Sequence, residues 1–416
     1  MKKIFLFFAL IVGLLTSAST MQAQTVNMSR YITLTVAKDS AIMLDFKAAA
    51  AGTPVRIVSG SNTQDITVGT NWYGSASYTA DGTTMKVYGD ITDFSCKYNG
   101  ANLTALDPSH NTQLTELYCY NNNLSSLDVS GCTQLEILKC YNNNLSSLDV
   151  SKNTQLTWLY CNKNNLSHLD ISKNTQLTGL WCFSNTLSSL DVSKNTKLTE
   201  LRCSENRLSS LDVSKNTKLT KLWCSENRLS SLDLSKNTQL TELYCYRNQL
   251  SSLDISKNTQ LGWLYCYGNN FSTAALDDIY CALPDRTGKW YGVIEPLHNS
   301  SDPNHATVLA TNAQNAIDKN WKVLYDDGGA YIHTTGSYDC STAVAEASAE
   351  QALTLYPNPV ADMLYLSATA RNIRIYNIYG TEVAHATDTD RIDVASLPAG
   401  VYTVKADGTV AKMVKR

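Results

Sequence analysis

Neither sign of charge dominates this chain: 34 Lys and Arg against 37 Asp and Glu over 416 residues leave a formal net charge of −3. A basic footprint for nucleic acid is absent, as is a polybasic strip for an anionic membrane, so neither is expected as a partner. Histidine is scarce and scattered, at His110, His168, His298, His305, His333 and His385. No H-E-x-x-H, G-x-S-x-G or phosphate-cradling loop occurs, so no enzyme and no cofactor is expected. No C-x2-4-C pair is present, which removes the usual spacing of a thiolate metal site. A membrane-spanning run is also lacking. The apolar run Ile4–Leu15 follows Lys2 and Lys3 and precedes the small and polar stretch Thr16–Ala23. Its length is well short of the ~20 residues that span a bilayer. The layout predicts a secretory signal peptide over residues 1–24, and hence an exported protein.

What the chain does have is a repeat. Cys96, Cys119, Cys140, Cys161, Cys182, Cys203, Cys224, Cys245 and Cys266 are spaced by 23 residues once and then by 21 seven times. Self-similarity at such a period is the mark of a solenoid. One unit, Leu240–Gln260, reads LTELYCYRNQLSSLDISKNTQ, and near copies run from Leu114 to Phe271 after a looser one at Phe94–Gln113. Alternation around Leu243, Tyr244 and Cys245 predicts a short strand with Leu and Cys inward. Leu250, Leu253 and Ile255 fill the same interior. Each buried Leu contributes about 1.5–3 kcal/mol, but one coil cannot cover its own apolar side, so stability comes from stacking.

The periodic polar residues read as scaffold. Asn122, Asn143, Asn164, Asn185, Asn206, Asn227, Asn248 and Asn269 fall three residues after each Cys. There, a side-chain amide is expected to satisfy backbone groups of its own coil and the next. Asp149, Asp170, Asp191, Asp212, Asp233 and Asp254 are expected to cap turns with the Ser two residues on. Lys152, Lys173, Lys194, Lys215, Lys236 and Lys257 form a solvated row. The cysteine column reads as buried free thiols in place of Leu rather than as a metal or redox array. Cys132 stands where the other turns have Asn. Cys281 and Cys340 lie outside the column, where a bridge between them is one possibility.

The L-x-x-L-x-C-x-x-N-x-L pattern with its 21-residue period resembles the leucine-rich repeats of internalin-type bacterial surface proteins. It is most similar to the internalin J-like group, which has Cys where most such repeats have Leu. The likeness covers residues 94–270. It implies a curved solenoid with a concave parallel sheet, used for adhesion or for recognising host or bacterial surfaces.

If Leu and Cys point in, three positions per repeat point out onto that sheet. Thirteen of these positions are aromatic: Tyr118, Tyr120, Tyr141, Trp158, Tyr160, Trp181, Phe183, Trp223, Tyr244, Tyr246, Trp263, Tyr265 and Tyr267. Strand propensity and ladder packing account for part of this. Exposed Trp and Tyr gathered on one surface also suit binding of protein or glycan, giving a large contact area with a polar edge. Glu200, Arg202, Glu205, Lys221 and Glu226 form a charged belt between two aromatic zones.

Short alternating stretches at Tyr31–Val36, Ile42–Phe46, Val55–Val58, Ile66–Val68 and Met85–Tyr88 predict a small β cap over 25–93. Past Phe271 the repeat decays into a C-terminal α/β cap over 271–340, with helices at Ala274–Leu283 and Ala313–Ile317. Strands are expected at Gly292–Ile294, Trp321–Tyr325 and Ala330–His333. Residues 341–350 read as a linker. From 351 to 416, alternation with turns at Gly380 and Gly400 predicts a β-sandwich of short strands. Its Leu355–Val360 (LYPNPV), Ile375–Gly380 (IYNIYG) and Leu397–Tyr402 (LPAGVY) motifs resemble the C-terminal sorting domain of the type IX secretion system. That resemblance implies passage through the type IX machinery, removal of the domain, and attachment of the mature protein to outer-membrane lipopolysaccharide. The fold class expected is therefore a mainly β leucine-rich-repeat solenoid with two caps and a β sorting domain. The function expected is surface adhesion, including attachment and biofilm formation. The alternative is glycan or peptide capture for nutrient uptake.

Overall fold

A repeat whose apolar side is too large for one coil must find its cover in the coils above and below. The computed structural model describes residues 25–340, 355–377, 381–406 and 409–416. The signal peptide expected over 1–24 and the linker expected over 341–350 lie outside the described residues. Two compact units divide the chain, Met1–Tyr338 and Asp339–Arg416.

The first unit is a solenoid. Eight three-residue strands, from Glu116–Tyr118 to Trp263–Tyr265, pair in parallel, each one repeat from the next. The register follows the repeat: Ile137 faces Trp158, Leu138 faces Leu159, and Lys139 faces Tyr160. The central Leu of every strand and the Cys after it are buried, as are Leu250, Leu253 and Ile255 of the representative coil. The strands are short because the backbone turns two residues after each Cys. Asn121, Asn142, Lys163, Ser184, Glu205, Glu226 and Arg247 all sit there in the left-handed region, with φ between 50° and 58°. Gly268 takes the same place in the last full coil, with φ of 63°.

Both ends of the sheet are closed. Ile91–Ser95 starts it by pairing in parallel with Glu116–Tyr118, and Ala41–Ala48 covers the open edge in antiparallel. All five expected cap strands are present. Ala76–Thr79 and Leu103–Asp107 are additional. The latter leaves the first, looser coil to pair with Tyr31–Val36 in a five-stranded antiparallel sheet. At the other end Gly292–Leu297 and Trp321–Tyr325 add two more parallel strands, so the repeat architecture outlasts the repeat sequence. Thr273–Ala282 is helical, with Ser272 Oγ accepting a hydrogen bond from Ala275 N at the N-cap. Short helices follow at His305–Leu309 and Gln314–Ile317. The strand expected at Ala330–His333 is instead a single bridge between Leu324 and Tyr331. Gly328 and Gly329, both at positive φ, make the turn between the two segments, and Tyr325 N and Ile332 N donate across it to Ala330 O and Val323 O.

In the second unit the strands are longer than the short ones expected. Met363–Tyr376 pairs in antiparallel with Glu382–Asp393, Leu355–Tyr356 and Gly400–Ala406, and Gly400–Ala406 pairs in turn with Thr409–Lys415. Val360, Leu364, Ile373, Ile375, Val394, Val404 and Met413 form its core, all fully buried. Among the described residues no helix is long and apolar enough to cross a membrane.

Candidate functional site

The site is the outward face of the parallel sheet, and two asparagine ladders tie its successive coils together. Asn143 Nδ2 donates to Cys119 O and Cys140 O, at 2.9 and 3.0 Å, and its Oδ1 accepts from Leu124 N. The bonds thus tie each coil to the one before it, not to the one after as expected. The pattern recurs at every such asparagine from Asn122 to Asn269. A second ladder lies in the S-K-N turns and was missed, although its 21-residue spacing is plain in the sequence. Asn153, Asn174, Asn195, Asn216, Asn237 and Asn258 are at most 1% exposed. Asn216 Nδ2, for example, donates to Val192 O and Asn195 O of the preceding coil. Cys132 keeps one such tie, with Sγ 3.4 Å from Pro108 O. The aspartates cap as expected: Asp149 Oδ1 accepts from Ser151 N at 2.8 Å, which holds its carboxyl below the usual range.

The nine column cysteines and Cys132 are free and buried, whereas Cys281 and Cys340 are disulfide-bonded. Burial pushes the thiols of Cys161, Cys203 and Cys266 up to about 12. A thiol so far from ionising is a packing group and not a nucleophile. Among the described residues no cluster of His, Cys, Asp or Glu is placed to hold a metal ion.

On the outward face the column just before the cysteines forms one continuous stack. Trp72, from the N-terminal cap, meets Tyr118 at a ring separation of 5.3 Å. Lys139 Nζ lies over both Tyr118 and Tyr160, at 4.5 and 5.2 Å. Tyr160 meets Trp181 edge-on at 4.7 Å. Arg202 is clamped between two indoles, its Cζ 3.9 Å from Trp181 and 3.6 Å from Trp223. Trp223, Tyr244 and Tyr265 continue face to face at 4.6 and 4.3 Å. Where the sequence substitutes a cation for a ring, cation–π attraction keeps the stack unbroken. Trp158 and Tyr160 also stack, at 5.5 Å.

The charged belt is largely neutralised by its own pairing. Glu200 accepts from Trp181 Nε1 at 2.9 Å and pairs with Arg202, Lys221 pairs with Glu242, and Glu226 pairs with Arg247. Glu205 accepts from Ser184 Oγ.

The column just after the cysteines is interrupted, and its gaps are cavities. Tyr120 stacks on Tyr141 at 4.3 Å and Tyr246 on Tyr267 at 4.5 Å. Between Tyr141 and Phe183 stands Asn162, at a cavity of about 510 Å³. Between Phe183 and Tyr246 stand Ser204 and Ser225, hydrogen-bonded to each other at 2.8 Å, at a cavity of about 310 Å³.

The thirteen aromatic residues thus come together on one face, but unevenly. Trp263 is 40% exposed and most of the rest are half-buried against one another. Tyr267 departs from the expectation of an outward ring: it is 5% exposed. His298 stacks on it at 5.3 Å, and Asp326, from the C-terminal cap, accepts its hydroxyl. Sequence reading also passed over Trp72, Trp290 and Tyr291. Trp290 is 84% exposed, and Tyr291 carries Lys322 over its ring at 3.7 Å. None of the three lies in a repeat, and their signal is the Trp-Tyr-Gly triplet that occurs at both Trp72–Gly74 and Trp290–Gly292.

Residues 354–416 match the model of the secretion system C-terminal sorting domain, and residues 112–153 match that of leucine-rich repeats in two copies. No curated protein matches the chain. Among solved structures, the chain is similar to the functional domain of InlJ from Listeria monocytogenes, described as including a cysteine ladder. Identity there is 23%, over 79% of this chain and 93% of that one, with a TM-score of 0.47. It is also similar to a leucine-rich-repeat protein of Leptospira interrogans, at 20% identity over 42% of this chain and 54% of that one, with a TM-score of 0.37. A third likeness is to the ectodomain of the Arabidopsis thaliana receptor kinase GASSHO1/SCHENGEN3. Identity is 26% over 39% of this chain and 22% of that one, with a TM-score of 0.37. The chain carries leucine-rich repeats in a capped solenoid and a secretion system C-terminal sorting domain.

Proposed function

We propose that this protein is an adhesin, exported through the type IX machinery and held at the outer surface by attachment to lipopolysaccharide. Its solenoid face would grip a protein or glycan on host or neighbouring bacterial cells. The observation that carries this reading is the unbroken stack from Trp72 to Tyr265, which sets large rings in fixed positions before any partner arrives. Rings already immobilised lose little entropy on binding, so contact area converts to affinity more fully. The sorting-domain match supports the surface routing. Adherence of cells producing the Trp158→Ala/Trp181→Ala variant tests the proposal. A drop to the level of a strain lacking the protein is expected, and undiminished adherence and biofilm with normal surface display would refute it. The two cavities favour, as a second reading, capture of a small glycan or peptide as a nutrient. Growth on such a polymer, lost in the same variant while adherence persists, would select it.

A further inference from the structure

The gap at Asn162 has the dimensions of one missing ring. Where rings follow one another in its column they lie 4.3–4.5 Å apart. Tyr141 and Phe183 stand two coils apart, about 10 Å at the usual strand spacing. A single six-membered ring placed between them would sit about as far from each wall as the stacked tyrosines sit from one another. The floor of this slot is the small side chain of Asn162, itself 5% exposed, whose Oδ1 is as sealed and unpaired as those of the turn asparagines Asn153, Asn174, Asn195, Asn216, Asn237 and Asn258. The charge of the lining is one-sided. Lys139 and Lys163 border the cavity and no carboxylate does; Lys139 Nζ is held over the rings of Tyr118 and Tyr160, which leaves Lys163 as the cation facing the slot.

Resting on the reading of this face as a binding face, we propose that the slot takes an acidic saccharide. A uronic acid ring would lie between Tyr141 and Phe183, with hydroxyls toward the amides of Asn121 and Asn142 and the carboxylate turned to Lys163. A partner protein's aromatic side chain would fill the same gap. However, it brings at most one hydroxyl to a lining that also presents the amides of Asn121 and Asn142. A polyhydroxylated ring with apolar faces and a negative substituent matches all of these groups.

The test is titration of the full chain with galacturonic acid oligosaccharides and with neutral galactose oligosaccharides of equal length. The acidic series is expected to bind about 10-fold more tightly, the scale of one charge-assisted contact. The difference should shrink as ionic strength rises from about 0.02 to about 0.3 M. Asn162→Tyr, which installs the ring that Tyr141 supplies in its own coil, should abolish binding without lowering Tm. Lys163→Gln should weaken the acidic series alone. Equal affinity for the two series, or full binding by Asn162→Tyr, overturns the assignment. Adherence separates its failure from that of the parent reading. If Asn162→Tyr blocks adherence while no saccharide binds, a protein occupies the slot and only the sugar is wrong. If Trp158→Ala/Trp181→Ala leaves adherence intact, the binding face itself falls.

Discussion

The indole of Trp158 lies across Gly179 of the following coil: a Cβ at that glycine would stand 2.0 Å from Trp158 Cζ3. The two are register partners in adjacent strands, and Gly179 is the one glycine among the outward positions of the eight repeats. The glycine is there for room, since its backbone is not at positive φ. Gly179→Ala is therefore expected to displace the ring and cost about 1–3 kcal/mol. A lower Tm with altered near-UV circular dichroism would register it. In a Trp158→Ala background the same change should be close to neutral, because no ring remains to be displaced. An unchanged Tm and spectrum in the single variant would contradict the packing described.

The asparagine ladder is the polar counterpart of the leucine columns. Asn206 Nδ2 donates to Cys182 O, Cys203 O and Ser204 O, and its Oδ1 accepts from Leu187 N. Asn206→Ala removes these partners in the middle of the solenoid and leaves buried backbone groups unpaired, at about 1–3 kcal/mol for each group that water cannot reach. A fall in the urea midpoint with little change in slope is expected. Asn269→Ala, nearer the cap, interrupts fewer downstream coils and should lower the midpoint less. Equal effects at both positions would argue that coils unfold as one block and not as neighbours.

How much of this was readable in advance differs from column to column. Leu243 and Cys245 declared themselves because burial on one side of a strand imposes strict periodicity, and the strands fell where that period put them. The alternation also placed Trp158, Tyr160 and Trp181 on one face. It did not reveal that Arg202 would act as a ring in the stack, because a charge between charges reads as a belt until geometry sets it between two indoles. Nor did it reveal that Tyr267 would be covered. The residues that cover it, His298 and Asp326, belong to coils that kept the architecture and lost the sequence signature. The left-handed row was half legible: Asn121, Asn142 and Gly268 are residues that favour this conformation, whereas Lys163 and Glu226 are not.

The thiols give a direct check on the interior. Ten cysteines are free and buried, with Cys161, Cys203 and Cys266 raised to about 12 by burial. At about pH 8 a disulfide-exchange reagent needs thiolate and access, and both are absent. No cysteine of the native protein is expected to react. Unfolding in denaturant should release ten thiols, and reduction all twelve cysteines. Rapid labelling of any column cysteine in the native state would mean that the spine opens.

Glu295 sets the pH dependence at the C-terminal end of the sheet. It is 7% exposed, on the strand beside Trp263–Tyr265. Burial first, and then the hydrogen bond and charge of Asp326, push its carboxyl up to about 8. Tyr265, Tyr267 and His298 surround the same pair. The folded protein therefore holds this proton more tightly than the unfolded chain. Its contribution to stability is complete below the ordinary glutamate range and is lost as pH rises through the folded value. The turn aspartates act in the opposite sense. Asp149, Asp170, Asp191, Asp212 and Asp233 are held below the usual range by bonds from the serines that follow. Their contribution is present above that range and is lost as pH falls through their depressed folded values. Thermal melts across pH should then show a maximum near the ordinary glutamate value of 4.5, falling in strong acid and falling again on the alkaline side of it up to about 8. Glu295→Gln keeps a neutral side chain able to bond Asp326 at every pH, so it should flatten the alkaline limb and leave the acid limb in place. An alkaline limb equally steep in that variant would show that another group carries the proton.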